Sequence, residues 1–157
     1  MNTIGTTPDP RLSAPDVSAA VRGRVVTPDD HDYDAVRKVQ NGAIDRRPSL
    51  IVKVADADDV ARVIGLARDT GVELAVRCGG HSAAGHSTTD GGIVIDLSEM
   101  KGIELDLENR TVWAEGGLTA FELSTAVGEH GLVLKRGQEL GLVLAPLERR
   151  LMRLVAE

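Results

Sequence analysis

The sequence predicts an α+β fold of α/β character, in which a βαβ unit is followed by the start of a mixed-sheet second unit that the chain does not complete. Three observations carry this expectation. The apolar triplets Leu50-Ile51-Val52 and Leu74-Ala75-Val76 flank a helical stripe at the spacing of a strand–helix–strand crossover. Further on, Ile103, Leu105 and Leu107 alternate ahead of Thr111-Val112-Trp113, the pattern of a hairpin turning at Glu108-Asn109. Aromatic residues are confined to Tyr33, Trp113 and Phe121, so the core is expected to be Val, Leu, Ile and Ala.

Residues 1–29 are rich in Thr, Pro, Ser, Asp and Gly without a sustained apolar period, and are expected to form a flexible leader. The body is expected to span 30–134. A helical pattern follows Asp30, with Tyr33, Val36 and Val39 on one side and Asn41-Gly42 as its stop. After the strand at Leu50-Val52, Asp56 can cap a helix whose Val60, Val63, Ile64 and Ala67 form one stripe, closed by Gly71. Ile93-Val94-Ile95 is a further buried strand. Gly116-Gly117 then interrupts the strand-rich part before Thr119, which can cap a helix with Glu122 three residues on, with Leu123, Ala126 and Val127 facing inward and Gly131 at its end. In a divergent tail at 135–157, Pro146 can open a helix carrying Leu147, Leu151, Leu154 and Val155 on one face.

The net charge of -6 leaves no basic footprint for nucleic acid. No apolar run is long enough to span a bilayer, and the first residues lack a cationic segment followed by an apolar one, so the chain reads as cytoplasmic. The single cysteine, Cys78, fits a reducing compartment.

The chemistry is expected in the loop Arg77-Cys78-Gly79-Gly80-His81-Ser82, which leaves a buried strand and continues through Gly85, His86 and Ser87. Paired glycines let successive backbone N–H groups turn toward an anion, and Arg77 and Ser82 add donors, so a diphosphate suits the loop. The G-x-G-x-x-G fingerprint is absent and no helix is read after these glycines, which excludes pyrophosphate binding on a helix dipole. A tight glycine turn carrying a surface histidine is the alternative.

Four blocks in order, Asn41 to Pro48, the βαβ unit, Arg77 to Ser87, and Gly91-Gly92-Ile93-Val94-Ile95-Asp96-Leu97-Ser98, resemble the FAD-binding domain of the vanillyl-alcohol oxidase and p-cresol methylhydroxylase (PCMH) superfamily, in its berberine-bridge-enzyme-like bacterial branch. The resemblance runs from about Asp32 to Leu134. It implies a PCMH-type FAD-binding domain, with Arg77, Cys78, Gly79, Gly80, His81 and Ser82 around the FAD pyrophosphate and Gly85, His86 and Gly117 near the cofactor. It also matches His81 to the histidine bonded to the flavin 8α-methyl carbon, a role open to a neutral imidazole nitrogen. Gly117 equally fits a corner between hairpin and helix. Cys78 stands where the family commonly has Gly or Ser, either as a small buried side chain or as a thiolate favoured by Arg77. Asp96, Arg46 and Arg47 receive no role.

Beyond His130-Gly131-Leu132-Val133 the resemblance ends: the family continues into a second flavin loop and a large substrate domain, whereas this chain reads Lys135-Arg136-Gly137-Gln138 and ends at Glu157. The implied activity is oxidation of an alcohol, sugar or amine-type donor with O2, by a chain inactive until the missing part positions a small-molecule substrate. Alternatives are a non-catalytic remnant that self-associates through exposed apolar faces, and a metal module through Cys78, His81 and His86, which offers one ligand fewer than a closed zinc site.

Overall fold

The computed structural model describes residues 13–133. Helix α1 (Ala14–Ala20) leads into strand β1 (Arg24–Val26), and a four-residue helix α2 (Tyr33–Val36) precedes strand β2 (Leu50–Lys53). Helix α3 (Ala57–Thr70) connects β2 to strand β3 (Leu74–Arg77), and strand β4 (Ile93–Asp96) follows a long loop. The hairpin of β5 (Ile103–Asp106) and β6 (Thr111–Ala114) then leads to helix α4 (Ala120–Gly128). The sheet order is β1-β2-β4-β3, with β1 antiparallel to β2 and all other pairs parallel. The βαβ unit therefore forms as expected, but β4 lies between its two strands.

Alternation along the strands divides the core into two layers. Leu50 and Val52 of β2 and Ile93 and Ile95 of β4 pack with Val17 of α1 and with Val63 and Ala67 of α3. On the opposite face Ile51, Ala75 and Val94 pack with Val26 and Tyr33. Among the described residues no long helix covers that second face. Tyr33 does so, its hydroxyl donating to the Pro48 carbonyl at 2.7 Å and its ring lying under the guanidinium of Arg47 at 5.4 Å.

Helix boundaries follow the local chemistry. The Asp56 side chain accepts from the Asp59 N–H, and Gly71 closes α3 in the left-handed conformation. Thr119 and Glu122 make the reciprocal capping box of α4, of whose expected inward residues only Val127 is fully buried. The helix after Asp30 is shorter than expected and excludes Val39, because 37–49 must run as coil back to the start of β2. The hairpin turns as expected, but Leu107 lies in the turn and is 50% exposed. The apolar helix expected after Pro146 lies outside the described residues, and among these no helix is long and apolar enough to cross a membrane.

The leader expected at 1–29 needs correction from residue 13 onward. Ser13 caps α1, whose Val17 is fully buried, and β1 adds an edge to the sheet through Arg24↔Lys53 and Val26↔Ile51. The segment is tied down by polar contacts that leave no apolar period in the sequence. The buried Asp59 carboxylate accepts from the N–H groups of Arg22 at 2.9 Å, Gly23 at 2.8 Å and Ala55 at 3.1 Å, and from the Arg62 guanidinium at 3.1 Å. Arg24 reaches both carboxylate oxygens of Asp32 at 2.7 Å.

Burial alone raises the Asp59 carboxyl, yet the three N–H donors and Arg62 outweigh it and hold the group below the usual carboxylate range. A carboxyl lowered by folding contributes stability that is complete above its unfolded pKa of about 4 and is lost as pH falls through the lower folded value. Asp59→Ala is expected to cost about 3 kcal/mol in denaturant titrations at neutral pH. The gap to the parent should narrow as the pH is lowered past 4, and a gap that stays constant to acid pH would contradict the assignment.

Candidate functional site

The candidate site lies at the C-terminal ends of the parallel strands, where open α/β sheets commonly receive ligands. Register pairs Lys53 with Asp96 and Asp96 with Arg77, and alternation places all three on the face of Ile51, Val94 and Ala75. The result is a row of cation, anion and cation across β2, β4 and β3. Above it opens a cleft of about 350 Å³, lined also by Lys38, Val39, Gln40, the Cys78–Gly80 segment and Ser98.

Arg77 is buried, and its Nη2 donates to the Asp96 carboxylate at 2.5 Å, whereas Nη1 is buried without a partner. Among the described residues Nη1 makes no bond, and it has almost no exposed surface. Asp96, to which the sequence assigned nothing, is the buried partner that makes this cation tolerable. Burial raises its carboxyl, but Arg77 and the Ser98 side chain and N–H lower it further, leaving it below the usual range.

Gly80 is required by its left-handed backbone, whereas at Gly79 a side chain would only displace the exposed His81 ring. A Cβ on Gly79 would stand 2.6 Å from the His81 ring, and Gly80 has φ +67° with its Cα facing Val39. No helix follows, as expected. The N–H groups of Gly79, Gly80, His81 and Ser82 make no hydrogen bond among the described residues, so four consecutive donors are free. His81 is exposed, with Nε2 at 3.4 Å from the Gln40 amide nitrogen.

Cys78 departs from both expectations. It is exposed and free, and partial desolvation together with the Asp96 carboxylate raises its thiol pKa. Arg77 cannot favour a thiolate because Asp96 already neutralises it. Ser82 Oγ accepts from the His86 N–H at 3.1 Å, Gly85 is buried and His86 is exposed. These three, and His81, do not line the cleft itself. Ser87, Thr88 and Thr89 follow with buried hydroxyls that lack partners among the described residues.

Gly117 is likewise outside the cleft. A Cβ there would stand 1.8 Å from the Leu97 carbonyl oxygen, so the packing of the corner accounts for glycine at this position. Among the described residues no three His, Cys, Asp or Glu side chains gather as metal ligands, Cys78, His81 and His86 included.

Residues 48–140 match a family described as "FAD binding domain". The chain is 37% identical over 118 residues to (R)-6-hydroxynicotine oxidase of Paenarthrobacter nicotinovorans, which covers 75% of this chain and 26% of that protein. This chain belongs to the FAD-linked oxidoreductases of the vanillyl-alcohol oxidase and p-cresol methylhydroxylase superfamily. A berberine bridge enzyme-like protein of Nicotiana tabacum is 33% identical over 87 residues, 53% of this chain and 16% of the relative. The crystal structure of 6-hydroxy-D-nicotine oxidase from Arthrobacter nicotinovorans superposes with a TM-score of 0.74 at 37% identity, covering 80% of this chain and 27% of that one. The chain thus spans about a quarter of the length of its FAD-linked nicotine-oxidase relatives.

The residues present fit part of this superfamily's cofactor. The free amides from Gly79 to Ser82 and Lys38 form a donor set suited to a diphosphate, with the buried Arg77 and Lys53, which pairs with Glu99 at 3.3 Å, as neighbouring charges. Removing the anion from the charged row tests its coupling to the fold. Asp96→Ala strands the Arg77 charge and is expected to lower stability by about 3 kcal/mol or more, while the double change Arg77→Met with Asp96→Leu recovers most of the loss. Equal stability of Asp96→Ala and parent in urea titrations would show that the pair does not hold the strands.

Proposed function

We propose that this chain is the cofactor-holding front part of an FAD-linked oxidase, with Arg77, Cys78, Gly79, Gly80, His81, Ser82, Gly85 and His86 around the cofactor and His81 as its covalent attachment point. The observation that carries the reading is the run of four acceptor-less N–H groups, Gly79 to Ser82, beside a cleft lined by Arg77 and Lys38. Bound FAD supplies the two-electron acceptor for oxidation of an organic donor.

On this reading each group has a physical task. The amides hold the diphosphate through charge-assisted hydrogen bonds, strengthened by partial exclusion of water, with the buried Arg77 as a neighbouring charge. Lys38 and Lys53 add positive potential in an otherwise acidic chain. His81 is exposed and would hold the flavin through a ring nitrogen at its 8α carbon. Gly117 is left out of this set, since its backbone is taken up by the contact with Leu97.

The chain alone is proposed not to turn over an organic donor. Positioning is a large share of catalysis, and the groups that provide it belong, on this reading, to the portion of the relatives that this chain does not span. A second reading as a protein-contact module is favoured by the exposure of Phe121 at 80%, Val133 at 65% and Leu107 at 50%. Co-expression with FAD followed by size-exclusion chromatography separates the two: the first expects flavin absorbance to co-elute with the chain, the second a flavin-free oligomer.

Covalent attachment has its own readout. The parent chain is expected to give a flavin-fluorescent band on a denaturing gel, and His81→Ala to lose that band while retaining flavin releasable by acid. Parent protein whose flavin is wholly released by acid would remove the covalent role from His81, and parent protein that takes up no flavin would remove the whole assignment.

A further inference from the structure

Two coil segments cross the same face of the sheet, from the C-terminal ends of its parallel strands to their N-terminal ends. Residues 40–49 lead into β2 and residues 80–92 lead into β4, and the two run side by side in the same direction. Their contacts advance in step. The Gln40 N–H donates to the Gly80 carbonyl at 3.3 Å, and the Asn41 amide to the Ala83 carbonyl at 3.4 Å. Arg46 Nη1 then donates to the carbonyls of Gly85 at 3.1 Å and Thr88 at 2.9 Å. Below them the Arg47 N–H donates to Asp90 at 2.7 Å and the Ser49 N–H to the Gly92 carbonyl at 2.9 Å.

From Gly80 to Thr88 every one of these contacts takes a loop carbonyl and none takes a loop N–H. The N–H of each peptide unit points opposite its carbonyl, so the bond to the Gly80 carbonyl turns the His81 N–H away from 40–46, while the Gly85, His86 and Thr88 N–H groups are taken up by bonds within the loop. Arg46 stands out among its neighbours. Arg37 and Arg47 pair with Asp34, and Arg37 also with Asp45, whereas the bonds Arg46 donates among the described residues go to main-chain carbonyls alone. One half-buried nitrogen thereby ties two carbonyls three residues apart. The constraint reaches Ser82 through the turn in which the Gly85 N–H donates to the Ser82 carbonyl at 3.2 Å and the His86 N–H to Ser82 Oγ at 3.1 Å.

We infer that residues 40–46 are a clasp that holds the loop with the unbonded Gly79–Ser82 amides open to an anion, and that Arg46 is the positioning residue of that clasp. The identity of the anion as the FAD diphosphate rests on the function proposed above; the clasp itself does not. An amide array that is already oriented avoids the ordering cost that a mobile loop would incur on binding.

The test uses the full chain carrying Arg46→Ala or Arg46→Lys, with amide hydrogen exchange read by mass spectrometry and affinity measured for FAD and for inorganic pyrophosphate. Arg46→Ala is expected to leave exchange in β2, β4 and α3 unchanged, to speed exchange of the bonded amides of Gly85, His86 and Thr88 about tenfold, and to weaken both ligands about tenfold. Arg46→Lys, which keeps one charged nitrogen for both carbonyls, is expected to restore most of each effect. Unchanged exchange at Gly85, His86 and Thr88 in Arg46→Ala would overturn the clasp, and so would faster exchange spread evenly over the sheet, the mark of a merely structural arginine. Parent chain that binds neither ligand would instead remove the flavin reading, with exchange alone then deciding the clasp.

Discussion

Parallel pairing of β4 with both β2 and β3 is the constraint from which the site follows. A strand that joins a parallel neighbour must first return to the neighbour's starting edge, a crossover most chains make with a helix. Between β2 and β3 this chain uses α3, but between β3 and β4 it uses fifteen residues of glycine-rich coil, 78–92. That coil leaves the sheet where the parallel strands end and descends over the face that no long helix among the described residues covers. Its upper half is therefore held above the charged row of Lys53, Asp96 and Arg77, and its lower half against 40–49. One element serves as both chain connection and anion-facing surface.

Most of the architecture was legible because local signals agreed with the global pattern. Asp56, Gly71, Thr119 and Glu122 act at the helix ends where their chemistry places them, and the apolar triplets became strands. What escaped is what periodicity cannot register. Helix α1 and strand β1 each bury one side chain fully, Val17 and Val26, and depend on Asp59, a residue of another element. Pairing of Arg77 with Asp96 is a matter of register between strands nineteen residues apart, and short motifs contain no register. Arg46 works through main-chain oxygens, which leave no trace in residue type. The one available hint was the placement of two basic residues just before Pro48, in a segment otherwise reading as loop.

The candidate site divides the tasks of an FAD-linked oxidoreductase unevenly. On the proposed reading, the groups that would hold the diphosphate, the free amides above all, are gathered within the described residues. The exposed Cys78, with its raised thiol pKa, sits among them as a neutral side chain, which would suit a position beside that diphosphate better than a thiolate. The strand-rich second unit begins with a hairpin and α4, whose Phe121 is exposed.

The junction between the two units is main chain against main chain. The Gly117 N–H donates to the Met100 carbonyl at 3.1 Å, and its Cα faces the Leu97 carbonyl with no side chain interposed. The neighbouring Gly116 also lies close, since a Cβ there would stand 3.3 Å from Leu97 Cδ1. Any side chain at position 117 would have to part the two backbones, so the corner accepts only glycine without moving the hairpin away from the sheet.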